Sequence, residues 1–235
     1  MGGYSTGVLV SPGTLVIYSD IGCPWAHVAV HRLHTARQRL GLEAAVRFDH
    51  RAFVLELANQ RPTPKLTLES EVPVTSGLES DAGWQLWQGA VHEYPVSTLL
   101  ALESVQAAKE QGLEASERLD RALRKAFFGE SRCVTMLHVV LDVAAESGLD
   151  VGALRGALEA GAARSAVHDQ HRAAEADDVV KGSPHVFAPG GMHAHNPGVV
   201  MHWDGGHDGT GFPVVDHDDP TAVEPLLRAA ASAAA

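Results

Sequence analysis

Cysteine is scarce in this 235-residue chain: Cys23 and Cys133 are the only two, and they lie far apart. That scarcity excludes a disulfide framework and any all-cysteine zinc or iron–sulfur site. Positive charge is also short, with 18 Lys and Arg against 29 Asp and Glu, a formal net charge of −11. No basic face outweighs such a field, so a nucleic-acid partner is not expected. Long apolar runs are missing: nothing approaches the roughly 18 residues that a membrane span needs. Met1 to Val10 lacks the basic start and apolar core of a secretory signal. The expectation is a soluble, cytoplasmic protein with no membrane partner. At 45% hydrophobic, the chain can bury the core of one generous domain or two small ones. The one excess is histidine, at fourteen, so a metal site must be weighed.

Thr14 to Ser19 is a β-branched, apolar run after Pro12-Gly13 and predicts a buried strand. The period then changes: Trp25, Ala29, Leu33, Ala36 and Leu40 recur at helical spacing behind Pro24, until Gly41. Val46 and Phe48 then alternate with Arg47 and Asp49, a second strand. Connections this short fit a parallel, right-handed unit. Residues 51–95 contain Pro62, Pro64, Pro73 and Gly77 and read as a connecting loop over the sheet. From Val96 to about residue 178 the apolar stripes are helical and end at Gly112, Gly129 and Gly148. Within them Cys133 stands at the start of a predicted helix, Val134 to Ser147. Strand signals return at His185 to Ala188 and Val199 to Trp203. A closing helix follows, through Ala235, begun either by a Thr221/Glu224 capping box or by Pro225.

Cys23 follows a buried strand and precedes Pro24, which puts its sulfur at a helix N-terminus. The partial positive charge of unpaired amides there favours thiolate, the nucleophilic form. A small buried hydrophobe is the other reading of such a cysteine.

The stretch Tyr18-Ser19-Asp20-Ile21-Gly22-Cys23-Pro24-Trp25-Ala26 resembles the active-site turn of the DsbA-like thioredoxin-fold family, especially its cytoplasmic FrnE-type branch. Lys181-Gly182-Ser183-Pro184-His185-Val186-Phe187 is similar to that family's Gly-x-Pro followed by a strand. Residues Arg121 to Phe128 and Glu146 to Asp150 resemble its helical insertion. The resemblance implies an α/β, thioredoxin-like mixed sheet with an inserted α-helical domain: residues 14–50 and 180–235 for the first, 96–178 for the second. It also implies a cis Ser183–Pro184 bond facing the sulfur, where a peptide or glutathione would pair with the Ser183 main chain. Cys23 would then be the nucleophile, with Pro24, Trp25, Ser183, Pro184 and Arg132 binding substrate. Arg132 enters as a cation for a glutathione carboxylate, and His27 as a proton relay one turn from the sulfur.

The family's dithiol turn commonly reads Cys-Pro-Trp-Cys, and here its resolving position is Ala26. Cys23 and Ala26 cannot close an internal disulfide. The expected activity is therefore thiol–disulfide oxidoreductase or isomerase chemistry through one thiol, resolved either by Cys133 or by glutathione, with no required cofactor. Kappa-class glutathione transferases and 2-hydroxychromene-2-carboxylate isomerases share the architecture, so glutathione-dependent conjugation or isomerisation is the alternative. A groove that binds without turnover is a third. Expected partners are peptide or protein thiols or a small thiol substrate. Homodimers are common in related architectures, which leaves a second copy as a candidate partner. Specificity is expected from the Arg51–Tyr94 segment and the inserted helices.

His193, His195, His202, His207-Asp208 and Asp216-His217 crowd one glycine-rich segment, and His193 with His195 would share one side of an extended chain. No helical zinc motif accompanies them, so a solvated loop of surface histidines is expected, with no metal. A nucleophile elbow and a glycine-rich phosphate loop are both absent from the sequence.

Overall fold

The computed structural model describes residues 7–176, 179–207 and 210–234. The expected signal-free start before residue 7, the last two residues of the insertion (177 and 178), Asp208 of the histidine segment and Ala235 lie outside them. Strand β1 (Thr14–Ser19) is followed by helix α1 (Pro24–Arg39) and strand β2 (Arg47–Ala52). β1 and β2 pair in parallel, with Thr14 opposite Arg47 and Ser19 opposite Ala52. β3 (His185–Phe187) and β4 (His193–His195) complete a four-stranded sheet in the order β2-β1-β3-β4, each joining antiparallel. The alternation along β1 separates two layers. Leu15 and Ile17 meet Val30 and Leu33 of α1 and Leu226 and Leu227 of the closing helix, whereas Val16 and Tyr18 meet Phe53 and Phe187.

Residues 51–95 depart from the expected loop. They hold a single helical turn, α2 (Leu55–Ala58), and the 14-residue helix α3 (Lys65–Leu78). Pro62 and Pro64 precede α3 rather than interrupt it, with Pro64 as its extended N-cap residue, and Pro73 is accommodated inside. The buried face of α3 runs Thr67, Leu68, Glu71, Val72, Thr75. Three polar residues on that face hide the helical period from a hydrophobic pattern.

The insertion consists of α4 (Leu99–Ala107), α5 (Leu113–Glu130), α6 (Leu137–Glu146), α7 (Val151–Ala160) and α8 (Ala162–Ala176). Leu102, Leu119, Leu123, Phe127, Val140, Leu154 and Val167 form one continuous core that also takes Ala52 and Val54 from the end of β2. Helix α6 begins at Leu137 and not at Val134, so Cys133 sits in the preceding turn, its carbonyl accepting from the Met136 N–H (3.0 Å).

The histidine-rich segment is no solvated loop either. β5 (Val199–Asp204) and β6 (Phe212–Asp218) form an antiparallel hairpin with a bulge at Val200/Met201. Its glycines gather at the turn, where Gly205 and Gly211 approach too closely for any side chain. α9 (Glu224–Ala234) closes the fold with Pro225 in its first turn. Among the described residues no helix is long and apolar enough to cross a membrane.

Candidate functional site

The turn between β1 and α1 is held from three directions. The Asp20 carboxylate accepts the Gly22 N–H (2.8 Å) and the Leu55 N–H (2.9 Å), while the Asp20 N–H donates to the Ser183 hydroxyl (2.9 Å). Arg124 of α5, wholly buried, donates to the Asp20 carbonyl and the Ser19 hydroxyl at 2.8 Å each. Its Nε donates to Asp120 Oδ2 (2.8 Å), and the Nη2 that reaches Ser19 also donates to Asp120 Oδ1 (3.0 Å). Burial raises the Asp20 carboxyl above its ordinary value, and those hydrogen bonds together with Arg124 only partly offset it. Asp20 is thus a clamp on the turn.

Cys23 is the N-cap residue of α1 and Pro24 its first helical position, as the motif predicts. The Ser183–Pro184 bond is cis. The Cys23 thiol donates to the Ser183 carbonyl at 3.2 Å. The expected thiolate is not what this environment favours. Cys23 is 3% exposed, and burial pushes its thiol up to about 12. Hydrogen bonding to Ser183 works against that rise, while the Glu71 and Asp20 carboxyls add to it. The helix N-terminus is outweighed by desolvation.

A groove of about 570 Å³ opens at the sulfur, within the usual range for small-molecule sites. Cys23, Pro24, Trp25 and Ser183 line it, as the motifs predict; Pro184 is buried behind Ser183. The other walls come from Arg61, Thr67 and Glu71, and from Asn196, Met201, Trp203 and His207. The Trp25 indole N–H donates to Glu71 Oε1 (2.9 Å). Burial lifts the Glu71 carboxyl to about 7 despite that bond. The Thr67 hydroxyl holds the His207 carbonyl at 2.6 Å, tying the hairpin to α3.

Three expected site residues are elsewhere. Arg132 is paired with Glu146 (2.7 Å) and Glu130 (3.6 Å) and does not line the groove, where Arg61 is the cation instead. His27 is buried on another face of α1, stacked on Phe128 and bonded to the Ala82 carbonyl (3.0 Å). Burial takes its imidazole down to about 3, which removes it as a relay near neutral pH. Cys133 is a free thiol that does not line the groove. Among the described residues no group of three or more His, Cys, Asp or Glu is arranged to hold a metal. His193 bonds His185 across the strands (3.0 Å), and His202 bonds Asp216 (2.8 Å).

The family model for the DSBA-like thioredoxin domain matches residues 14–205, from β1 through β5. This chain belongs to the DSBA-like thioredoxin family. Solved structures share the fold over about three quarters of the chain. The cytosolic disulfide reductase DsbM from Pseudomonas aeruginosa, in its structure with GSH, superposes with a TM-score of 0.60 at 18% identity, over 77% of this chain and 89% of that one. A "probable DsbA oxidoreductase" from Streptomyces coelicolor gives 0.58 at 23% identity, covering 77% and 82%. A 2-hydroxychromene-2-carboxylate isomerase gives 0.53 at 18%, covering 77% and 87%. No curated protein matches the sequence significantly. At these identities the likeness establishes the fold alone.

Proposed function

We propose that this protein is a glutathione-dependent thiol–disulfide oxidoreductase of the cytoplasm that works through Cys23 alone. The observation that carries the reading is the Cys23 sulfur, 3.2 Å from the Ser183 carbonyl at the mouth of a groove whose walls offer no second sulfhydryl. Ala26, where the dithiol family has its resolving cysteine, is fully buried and inert. A mixed disulfide on Cys23 must then be resolved by a thiol that arrives from solution. Glutathione fits the groove chemically: it is a thiol peptide with two carboxylates, for which Arg61 supplies a cation and the Ser183 main chain an extended partner.

The cycle balances in two exchanges. Cys23 gives up its proton to solvent as it attacks the glutathionyl sulfur of R–S–S–G, forming Cys23–S–S–G and releasing RS⁻, which is protonated to RSH. The thiolate of a second glutathione attacks the glutathionyl sulfur, forming glutathione disulfide and returning the Cys23 thiolate, which is reprotonated. The net reaction is RSSG plus GSH giving RSH plus GSSG. The thiol's high pKa means that the first step depends on groove contacts that a bound substrate rearranges. The same protonated thiol favours a second reading, in which glutathione is held as the reacting thiol for isomerisation and Cys23 only lines its site.

Treatment with glutathione disulfide is expected to add one glutathionyl group at Cys23 and none at Cys133. Turnover of a glutathionylated peptide should vanish in Cys23→Ser and persist in Cys133→Ser. Undiminished turnover in Cys23→Ser would sink the single-thiol mechanism. Glutathione binding without any turnover would favour the isomerase reading.

A further inference from the structure

A second cavity, about 510 Å³, lies between α1 and α5 and is nearly as large as the thiol groove. It opens on the α1 face that carries His27, Val30 and His31. Trp25, in the thiol groove, is two residues from His27 and so about 200° away around the helix. The two cavities therefore flank α1 on different sides.

The charge at this second opening is unusual for a chain of net charge −11. Arg118, Arg121 and Lys125 stand at spacings of three and four on α5, all exposed and all lining the cavity, against a single lining carboxylate, Asp81. Lys125 reaches Glu130 at 3.2 Å, and Arg118 donates only to the Ser147 carbonyl (3.2 Å). Arg121 makes no hydrogen bond or ion pair with any described residue. Elsewhere arginines readily find the abundant acids: Arg32 binds Glu79 and Asp218, Arg37 binds Glu117, and Arg39 binds Glu224. The wall behind the cations is apolar, made by Val30 and Ala122 and by the His27 ring, which is packed against Phe128. That ring is neutral, because burial takes its pKa down to about 3.

Two guanidinium groups without a carboxylate partner among the described residues, Arg121 unbonded and Arg118 bonded only to a main-chain carbonyl, at the rim of an apolar cavity of small-molecule size match one ligand chemistry. We propose that this cavity is a binding site for a small organic anion with an apolar body, of the aromatic carboxylate class. Arg121 and Arg118 take the carboxylate in the forked geometry that guanidinium offers, and the Val30–Ala122 wall takes the ring system. This site is separate from the Cys23 chemistry and does not depend on how that chemistry is read.

The probe is 2-naphthoate, with 2-naphthalenemethanol as its uncharged counterpart, titrated calorimetrically into the full-length protein. The wild type is expected to bind 2-naphthoate at one site, at least tenfold more tightly than the alcohol. Arg118→Gln/Arg121→Gln should weaken naphthoate at least tenfold and leave the alcohol unchanged. Arg61→Gln and Cys23→Ser should bind naphthoate as the wild type does, which separates this site from the thiol groove. Both substituted arginines are exposed, so an unchanged circular dichroism spectrum and Tm are expected alongside. Equal affinity in the double variant, loss of binding in Arg61→Gln, or no saturable binding in the millimolar range would each overturn the proposal.

Discussion

Arg124→Met removes a guanidinium that has no contact with solvent and leaves its methylene volume in place. Asp120, 1% exposed, then keeps a buried carboxylate without the two hydrogen bonds that balance it, and the Asp20 carbonyl and Ser19 hydroxyl each lose a donor. Breaking a buried pair by deleting one partner costs about 3–5 kcal/mol. For a chain of this length, at about 2–4 °C per kcal/mol, Tm should fall by about 6–20 °C. The pH dependence identifies the cause. In the wild type, burial would raise the Asp120 carboxyl, but Arg124, and then His50, outweigh it and hold the pKa below the ordinary value. A depressed carboxyl gives stability that is present above its unfolded pKa and is lost as pH falls. In the variant burial acts almost alone, the folded pKa rises above the unfolded one, and stability is lost as pH rises. The gap between the two proteins should be widest near neutrality and should narrow toward pH about 4, where Asp120 binds a proton in the variant. Thermal unfolding in a pH series measures it. A Tm fall of under about 2 °C, or a gap that does not change with pH, would refute the reasoning.

Cys23 alkylation by iodoacetamide should be slow at pH 7–8 and should climb about tenfold per pH unit toward the thiol's pKa of about 12; a rate that levels off below pH 8, followed by mass spectrometry at Cys23, would contradict the buried, protonated thiol. Glu71→Gln removes a carboxyl that burial lifts from 4.5 to about 7, so wild-type stability is fully present below about 4.5 and lost as pH rises through 7. Urea unfolding should show the variant without that fall, which amounts to about 3 kcal/mol at 1.36 kcal/mol per pKa unit. The variant's Cys23 should also alkylate faster at pH 8, since the Glu71 carboxyl raises the thiol. Ala26→Cys restores the spacing of a dithiol turn at a position on the first turn of α1, and insulin reduction should rise at least tenfold over wild type; no rise would show that the groove, and not the missing cysteine, limits turnover with proteins.

The parts of the fold that follow simple periodicity were legible in the sequence. β1 stands close to its predicted place because it is apolar and buried on both faces, and α1, β2 and the helical stripes of α5 and α7 because their buried positions recur at the period of the element. Helix α3 was not, because Thr67, Glu71 and Thr75 occupy its buried face and three prolines surround or interrupt it. The β5–β6 hairpin was hidden by glycines, which sit in its turn rather than throughout the segment. The same two elements supply Thr67, Glu71, Met201, Trp203 and His207 of the groove walls; Arg61, in a proline-rich stretch just before α3 expected only to influence specificity, and Asn196, between β4 and β5, lie outside them. The motif residues Cys23, Pro24, Trp25 and Ser183 do converge on the groove, because local turn chemistry and a proline determine their geometry. The charge state of Cys23 was not legible, since it depends on desolvation by residues distant in the chain.

The partner of the Cys23 thiol is Ser183, 160 residues further along the chain. During synthesis, at about 5–20 residues per second, the ribosome needs about 8–30 s more to make that partner once the cysteine has been added. Through that interval the sulfur lacks the shelter that keeps it 3% exposed in the finished protein. A nascent thiol of ordinary acidity is open to oxidants and stray disulfides, whereas the completed site holds it protonated and covered. The enclosure of Cys23 is therefore protection that the molecule acquires late, and the vulnerable form of this protein is the unfinished chain.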